Sequence, residues 1–215
     1  MIRPALVACV LALAALGCAV PARRADPPEP RNFLTGYDAR TADGLVNMVV
    51  EIPAGTNEKW ETLKSGEGIE WEMAEGEGRV IRYLAYPANY GMVPATLLPE
   101  SEGGDGDPLD AVLLGPAVDR GAVVPVRVIG VLRLVDDGER DDKLIAVPRE
   151  GVFSEVTSLE ELEAAYPGVA GILETWFTRY KGPGRLVFEG FAGEDAARRV
   201  LDAAVDGFRR HGGPR

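Results

Sequence analysis

Asp105, Asp107 and Asp110 fall within a stretch of six residues, in Gly-Gly-Asp-Gly-Asp-Pro-Leu-Asp at 103–110, directly before the apolar run 111–114. Carboxylates this close repel one another, and the economical remedy is one or more hard divalent cations that accept oxygen ligands. An acidic surface turn is the plain alternative, and the spacing does not match the longer calcium loop of an EF-hand. A second acidic group, Asp136 and Asp141, follows another apolar run, with Lys143 two residues after Asp141. A hairpin at that point brings both charges together, although an ordinary polar loop has the same composition. His211 stands in the tail, and Cys9 and Cys18 stand in the first residues, so covalent phosphohistidine or cysteinyl chemistry has no candidate nucleophile.

Taken with Glu-Ile-Pro at 51–53, Lys-Trp-Glu at 59–61, Tyr-Pro-Ala-Asn-Tyr-Gly at 86–91 and Tyr-Lys at 180–181, these acidic motifs resemble family I soluble inorganic pyrophosphatases. The resemblance runs from about Val49 to Gly190. It implies a five-stranded barrel of OB-like form with flanking helices, a magnesium requirement, and pyrophosphate as substrate. It also implies roles. Asp105, Asp110, Asp136 and Asp141 resemble the family's direct magnesium ligands, and Glu51 an outer ligand acting through water. Asp107 resembles the proton acceptor. Lys59, Arg79, Tyr90, Lys143, Tyr180 and Lys181 resemble the groups that hold the two phosphates, with Glu61 and Tyr86 completing the lining. Arg79 stands seven residues before Tyr86, one fewer than the familiar bacterial spacing, which leaves Arg82 as an alternative. Several Mg2+ ions per site are expected, with Mn2+ or Zn2+ as substitutes, and the resemblance implies association into a homo-oligomer.

The elements that must position these residues are read from periodicity. The run 45–52 is rich in Val, Met and Ile and reads as a strand ended by Pro53. Further short strands are expected at 59–61, 69–73 and 79–84, a long one or a bent pair over 122–135, and another at 144–147. The spacing then changes. Leu159, Leu162 and Tyr166, followed by Val169, Leu173, Trp176 and Phe177, recur at helical intervals and predict two helices. A closing strand at 186–189 and an amphipathic helix over 194–210 complete the chain. The expected class is α+β, a mainly antiparallel five-stranded OB-like β-barrel with helices grouped toward the C-terminus.

Charge narrows the partners. Acidic residues outnumber basic ones, 34 against 23, for a formal net charge of −11. Such a surface repels nucleic acid and anionic membrane, so no nucleic-acid partner is expected and a phosphate ligand needs cations. A non-catalytic OB-like binding module is the first rival reading, and an exported hydrolase of organic polyphosphates or nucleotides is the second.

Residues 1–22 read as a signal peptide: Arg3, then an apolar run over 5–16 that is too short to span a bilayer. Leu-Gly-Cys at 16–18 resembles a bacterial lipoprotein site, with cleavage before Cys18 and a lipid anchor on it; Val-Pro-Ala at 20–22 offers plain cleavage after Ala22. The protein is therefore expected outside the cytoplasm, in the periplasm or as a membrane-anchored lipoprotein. Proline-rich residues 23–44 read as a flexible tether, and 45–215 as the pyrophosphatase domain.

Overall fold

The computed structural model describes residues 31–212. The leader expected over 1–22, Cys18 included, and the first residues of the tether lie outside the described residues. Strand β1 (Val46–Ile52) opens the fold, followed by β2 (Trp60–Thr62), β3 (Ile69–Trp71), β4 (Met73–Ala74), β5 (Glu77–Gly78) and β6 (Asn89–Met92). Next come β7 (Asp110–Leu113), β8 (Val123–Asp136), β9 (Glu139–Arg140) and β10 (Lys143–Pro148). Helices α1 (Leu159–Ala165) and α2 (Val169–Arg179), strand β11 (Leu186–Gly193) and helix α3 (Glu194–His211) end it.

The class is α+β, with a largely sheet core and three helices among the described residues. The main sheet joins seven strands. Five of them pair in succession as β1–β6–β7–β10–β8, and β8 returns to pair with β1. Every pairing in that circuit is antiparallel except β7 against β10. β8 serves four neighbours because it is long and shifts register: its start meets β1, its middle β10, and its end both β11 and the short β9.

Period-two alternation sorts the sheet's residues between two cores. In β10, Ile145 and Val147 join Val112, Leu132, Trp176 and Phe177, whereas Leu144 and Ala146 join Met48, Ala111, Leu113 and helix α3. Helix α3 packs on β8 and β11 and brings Ala196, Ala197, Leu201 and Ala204 into the same core as Ala111 and Ala146. Ser158 caps α1 by accepting from the Glu161 amide, while the Glu161 carboxylate reaches back to the amide and hydroxyl of Thr157. Among the described residues no helix is long and apolar enough to cross a membrane.

Two readings are corrected. No strand forms over 79–84; the backbone there bonds instead to the loop before β2, with the Ile81 amide donating to the Asn57 carbonyl at 2.9 Å and the Asn57 side chain returning a bond to the Ile81 carbonyl at 3.0 Å. Nor is the segment from residue 31 to 44 a free tether. Leu34 is buried against Val49 and Met92, and its carbonyl accepts from the Ala95 amide at 2.9 Å. Ala39 is buried in the core under α3, and polar neighbours hide both anchors from a reading of composition.

Candidate active site

A cavity of about 240 Å3 opens where β1, β2, β6, β7 and β10 bring their ends together, and its wall includes Glu51, Lys59, Glu61, Tyr90, Asp105, Asp107, Asp110, Asp136, Asp141, Lys143, Tyr180 and Lys181. Each element contributes for a local reason. Asp110 begins β7 and Lys143 begins β10, and parallel pairing sets the two opposite each other. Asp136 ends β8, and Tyr180 follows directly on α2. In Tyr-Pro-Ala-Asn-Tyr-Gly the glycine is required by contact: a Cβ on Gly91 would stand 1.9 Å from the Val49 carbonyl oxygen of the neighbouring strand.

The Lys143 ammonium lies 2.7 Å from Asp110 and 2.7 Å from Asp141 and is only 2% exposed. Burial alone would lower its pKa, but the two carboxylates outweigh burial and hold it above the ordinary lysine value. Lys181 bonds Asp136, and the Tyr90 hydroxyl donates to Asp110. Asp105 is pushed up to about 6, first by burial and further by repulsion from Asp110, Asp107 and Asp141, although its carboxylate accepts the Asp107 amide at 2.9 Å. Burial raises Glu51 to about 7 against the bond it accepts from the Thr62 amide at 2.7 Å.

Two residues stand differently from expectation. Tyr86 is buried behind the wall, its ring 5.5 Å from that of Tyr90 and 4.4 Å from that of Trp176, which in turn stacks on Tyr180 at 4.5 Å. It supports the lining without belonging to it. Arg79 also lies off the wall, held by Glu72 at 2.7 Å. Arg82 is exposed, and of the two arginines Arg79 is the one joined to the site, since Glu72 also bonds Lys59 at 2.8 Å. Glu72 was missed in the sequence. Its signal is a cross-strand pattern: Trp60 pairs with Trp71, which sets the opposite charges of Lys59 and Glu72 beside each other. Lys64, which pairs with Asp107, was missed as well.

The donor set suits hard cations. Eight carboxylates line the cavity against four lysines, and Oδ1 of Asp136 is buried with no hydrogen-bond partner. Among the described residues no three carboxylates are drawn to ligand distance around one point. Lys143 and Lys181 lie between them instead, supplying part of the positive charge the cluster requires.

A family model described as inorganic pyrophosphatase matches residues 48–209. The chain belongs to the inorganic pyrophosphatase family. Among curated relatives, it is 33% identical over 179 residues to inorganic pyrophosphatase 1 of Caenorhabditis elegans, covering 74% of this chain and 42% of the worm protein. It is 33% identical over 171 residues to the inorganic pyrophosphatase of Xanthomonas campestris, covering 75% of this chain and 88% of that one. The chain thus spans less than half of the worm pyrophosphatase but most of the bacterial one. Among solved structures, the type I inorganic pyrophosphatase of Toxoplasma gondii superposes with a TM-score of 0.78 at 30% identity, over 84% of this chain and 88% of that chain.

Proposed function

We propose that the protein hydrolyses inorganic pyrophosphate to two phosphates with magnesium. What carries the reading is one small cavity where carboxylates fit for hard cations, Asp105, Asp110, Asp136 and Asp141, meet cationic and phenolic donors fit for phosphate. The names of the family relatives point the same way.

Those four aspartates would hold magnesium, with Glu51 in the outer layer; Mn2+ or Zn2+ would substitute. Bound there, the metal would neutralise the substrate and make a water more acidic. Asp107, half exposed at the mouth, accepts the proton of the attacking water at its carboxylate. Lys59, Tyr90, Tyr180 and Lys181 hold the phosphates and offset charge that grows on the leaving group. Lys143, kept charged by Asp110 and Asp141, acts from the cavity floor, and Glu72 keeps Arg79 beside Lys59. We also read the closed circuit of strand pairings as a barrel of OB-like form, and residues 1–22 as an export leader cleaved before Cys18 or after Ala22.

The test is release of phosphate from pyrophosphate against magnesium concentration, with a chelator control and with tripolyphosphate and a nucleoside triphosphate alongside. Magnesium-dependent release from pyrophosphate is expected to dominate. Equal release from the nucleoside triphosphate would overturn the substrate assignment.

A further inference from the structure

We propose that Lys64 is a further substrate-contacting residue, a cation at the cavity mouth that passes from Asp107 to a phosphate oxygen when pyrophosphate enters; this rests on the pyrophosphatase reading of the site. Of the four lysines on the wall, three are fixed. Lys143 is buried between Asp110 and Asp141, Lys181 is held on Asp136, and Lys59 is tied to Glu61 and Glu72. Lys64 differs: its side chain is 59% exposed and that of its partner Asp107 is 48% exposed. An ion pair so open to water is weak, whereas a pyrophosphate offers the same ammonium several charged oxygens. The exchange is therefore favourable, and it releases the Asp107 carboxylate at the moment a proton acceptor is needed.

The Lys64 side chain can move, but its backbone is fixed. The turn that presents it is closed by the Gly66 amide donating to the Leu63 carbonyl at 2.7 Å and the Leu63 amide to the Gly68 carbonyl at 2.9 Å. An N-terminal clamp holds that turn from outside. The Asn32 side-chain amide donates to the Ser65 carbonyl at 2.6 Å, and the Phe33 amide to the Gly66 carbonyl at 2.8 Å. Asn32 Oδ1 meanwhile accepts the amides of Leu34 and Thr35, each at 2.9 Å. Gly66 has φ +73°, and a Cβ there would stand 2.2 Å from Asn32 Oδ1, so the clamp fits only a glycine. Leu34, next in the chain, lines the cavity itself. Asn32 and Phe33 precede residue 48, where the family-model match begins, whereas Ser65 and Gly66 lie within it. Asn32 is accordingly a positioning residue that acts through Lys64.

The test measures calorimetric binding of imidodiphosphate, a pyrophosphate analogue whose bridging nitrogen resists hydrolysis, with magnesium present, beside KM and kcat for pyrophosphate. Lys64→Ala is expected to weaken imidodiphosphate and raise KM about five- to tenfold, as loss of one partly exposed charged hydrogen bond would. Its kcat should stay within about twofold, because the fixed lysines still hold the bound substrate. Lys64→Arg should recover most of the affinity. Asn32→Ala should shift KM the same way by about two- to threefold, the cost of a loosened turn rather than a lost charge. Unchanged affinity and KM in Lys64→Ala, or no recovery by Lys64→Arg, would overturn the role of Lys64. Unchanged KM in Asn32→Ala would overturn the clamp. A parent protein that neither binds imidodiphosphate nor hydrolyses pyrophosphate would sink the reading of the whole site, and this inference with it.

Discussion

Lys143 and Asp110 lie opposite each other across the one parallel pairing in the circuit of strands, and their side chains meet at 2.7 Å. Two acidic motifs that are far apart in the chain are joined by that contact. A parallel register set by the core, with Leu144 opposite Ala111 and Ile145 opposite Val112, is what makes the charges coincide.

Removing the lysine alone leaves buried carboxylates without compensation. Lys143→Met is expected to destabilise the protein in chelator by about 3 kcal/mol, the usual cost of breaking a buried pair. Magnesium should restore part of the loss, since cations supply the missing charge. Urea midpoints measured in chelator and in magnesium check both statements; an unmoved midpoint in chelator would show that the contact carries no stability.

Asp107 and Asp110 should separate when each is changed to Asn. Asp107 is half exposed and pairs with Lys64, so Asp107→Asn should keep magnesium affinity and lower turnover by about 100-fold, the lower range for loss of a positioned proton acceptor. Asp110 bonds both Lys143 and Tyr90, so Asp110→Asn should weaken magnesium binding and turnover together. Rates titrated against magnesium distinguish the two; a parent-like rate in Asp107→Asn would refute the proton-acceptor role.

The acidic motifs were legible because local spacing carried them: Asp105, Asp107 and Asp110 share one loop, and Asp136, Asp141 and Lys143 one hairpin. Glu72 was not, since its place beside Lys59 depends on the register of β2 with β3. Lys64 was hidden for a related reason, because only the turn held by Asn32 and Phe33 brings it to Asp107. The helices followed their apolar period closely. The strand expected over 79–84 failed because Asn57 competes for the backbone of Ile81. Tyr86 was recognised from its motif, but that it backs Tyr90 rather than facing the cavity depends on α2 packing over it.

Arg79 and Arg82 give a further contrast. Glu72 holds Arg79, and burial, which alone would lower the guanidinium, is outweighed by that carboxylate. Arg79→Ala should raise KM for pyrophosphate about tenfold, as removal of a charged hydrogen bond would. Arg82→Ala, at an exposed position, should leave KM unchanged. Steady-state kinetics decide between them, and the reverse pattern would transfer the role to Arg82.

Glu51 predicts a pH dependence whose sign is fixed by burial. Its ordinary value is 4.5, and burial raises it in the folded protein to about 7. Between those values the folded state keeps a proton that the unfolded chain has released, so stability must fall as pH rises. The stabilisation from the neutral carboxyl is full below about pH 4.5 and is lost as pH passes through about 7. Glu51→Gln keeps an acceptor for the Thr62 amide but never ionises. In chelator the variant should match the parent near pH 4.5 and exceed its stability at pH 8 by up to about 3 kcal/mol, by linkage of that shift to folding. Magnesium should narrow the gap, because a nearby cation stabilises the ionised carboxylate. Urea unfolding of both proteins across this pH range is the measurement, and parallel pH profiles would show that the buried Glu51 carboxyl does not control stability there.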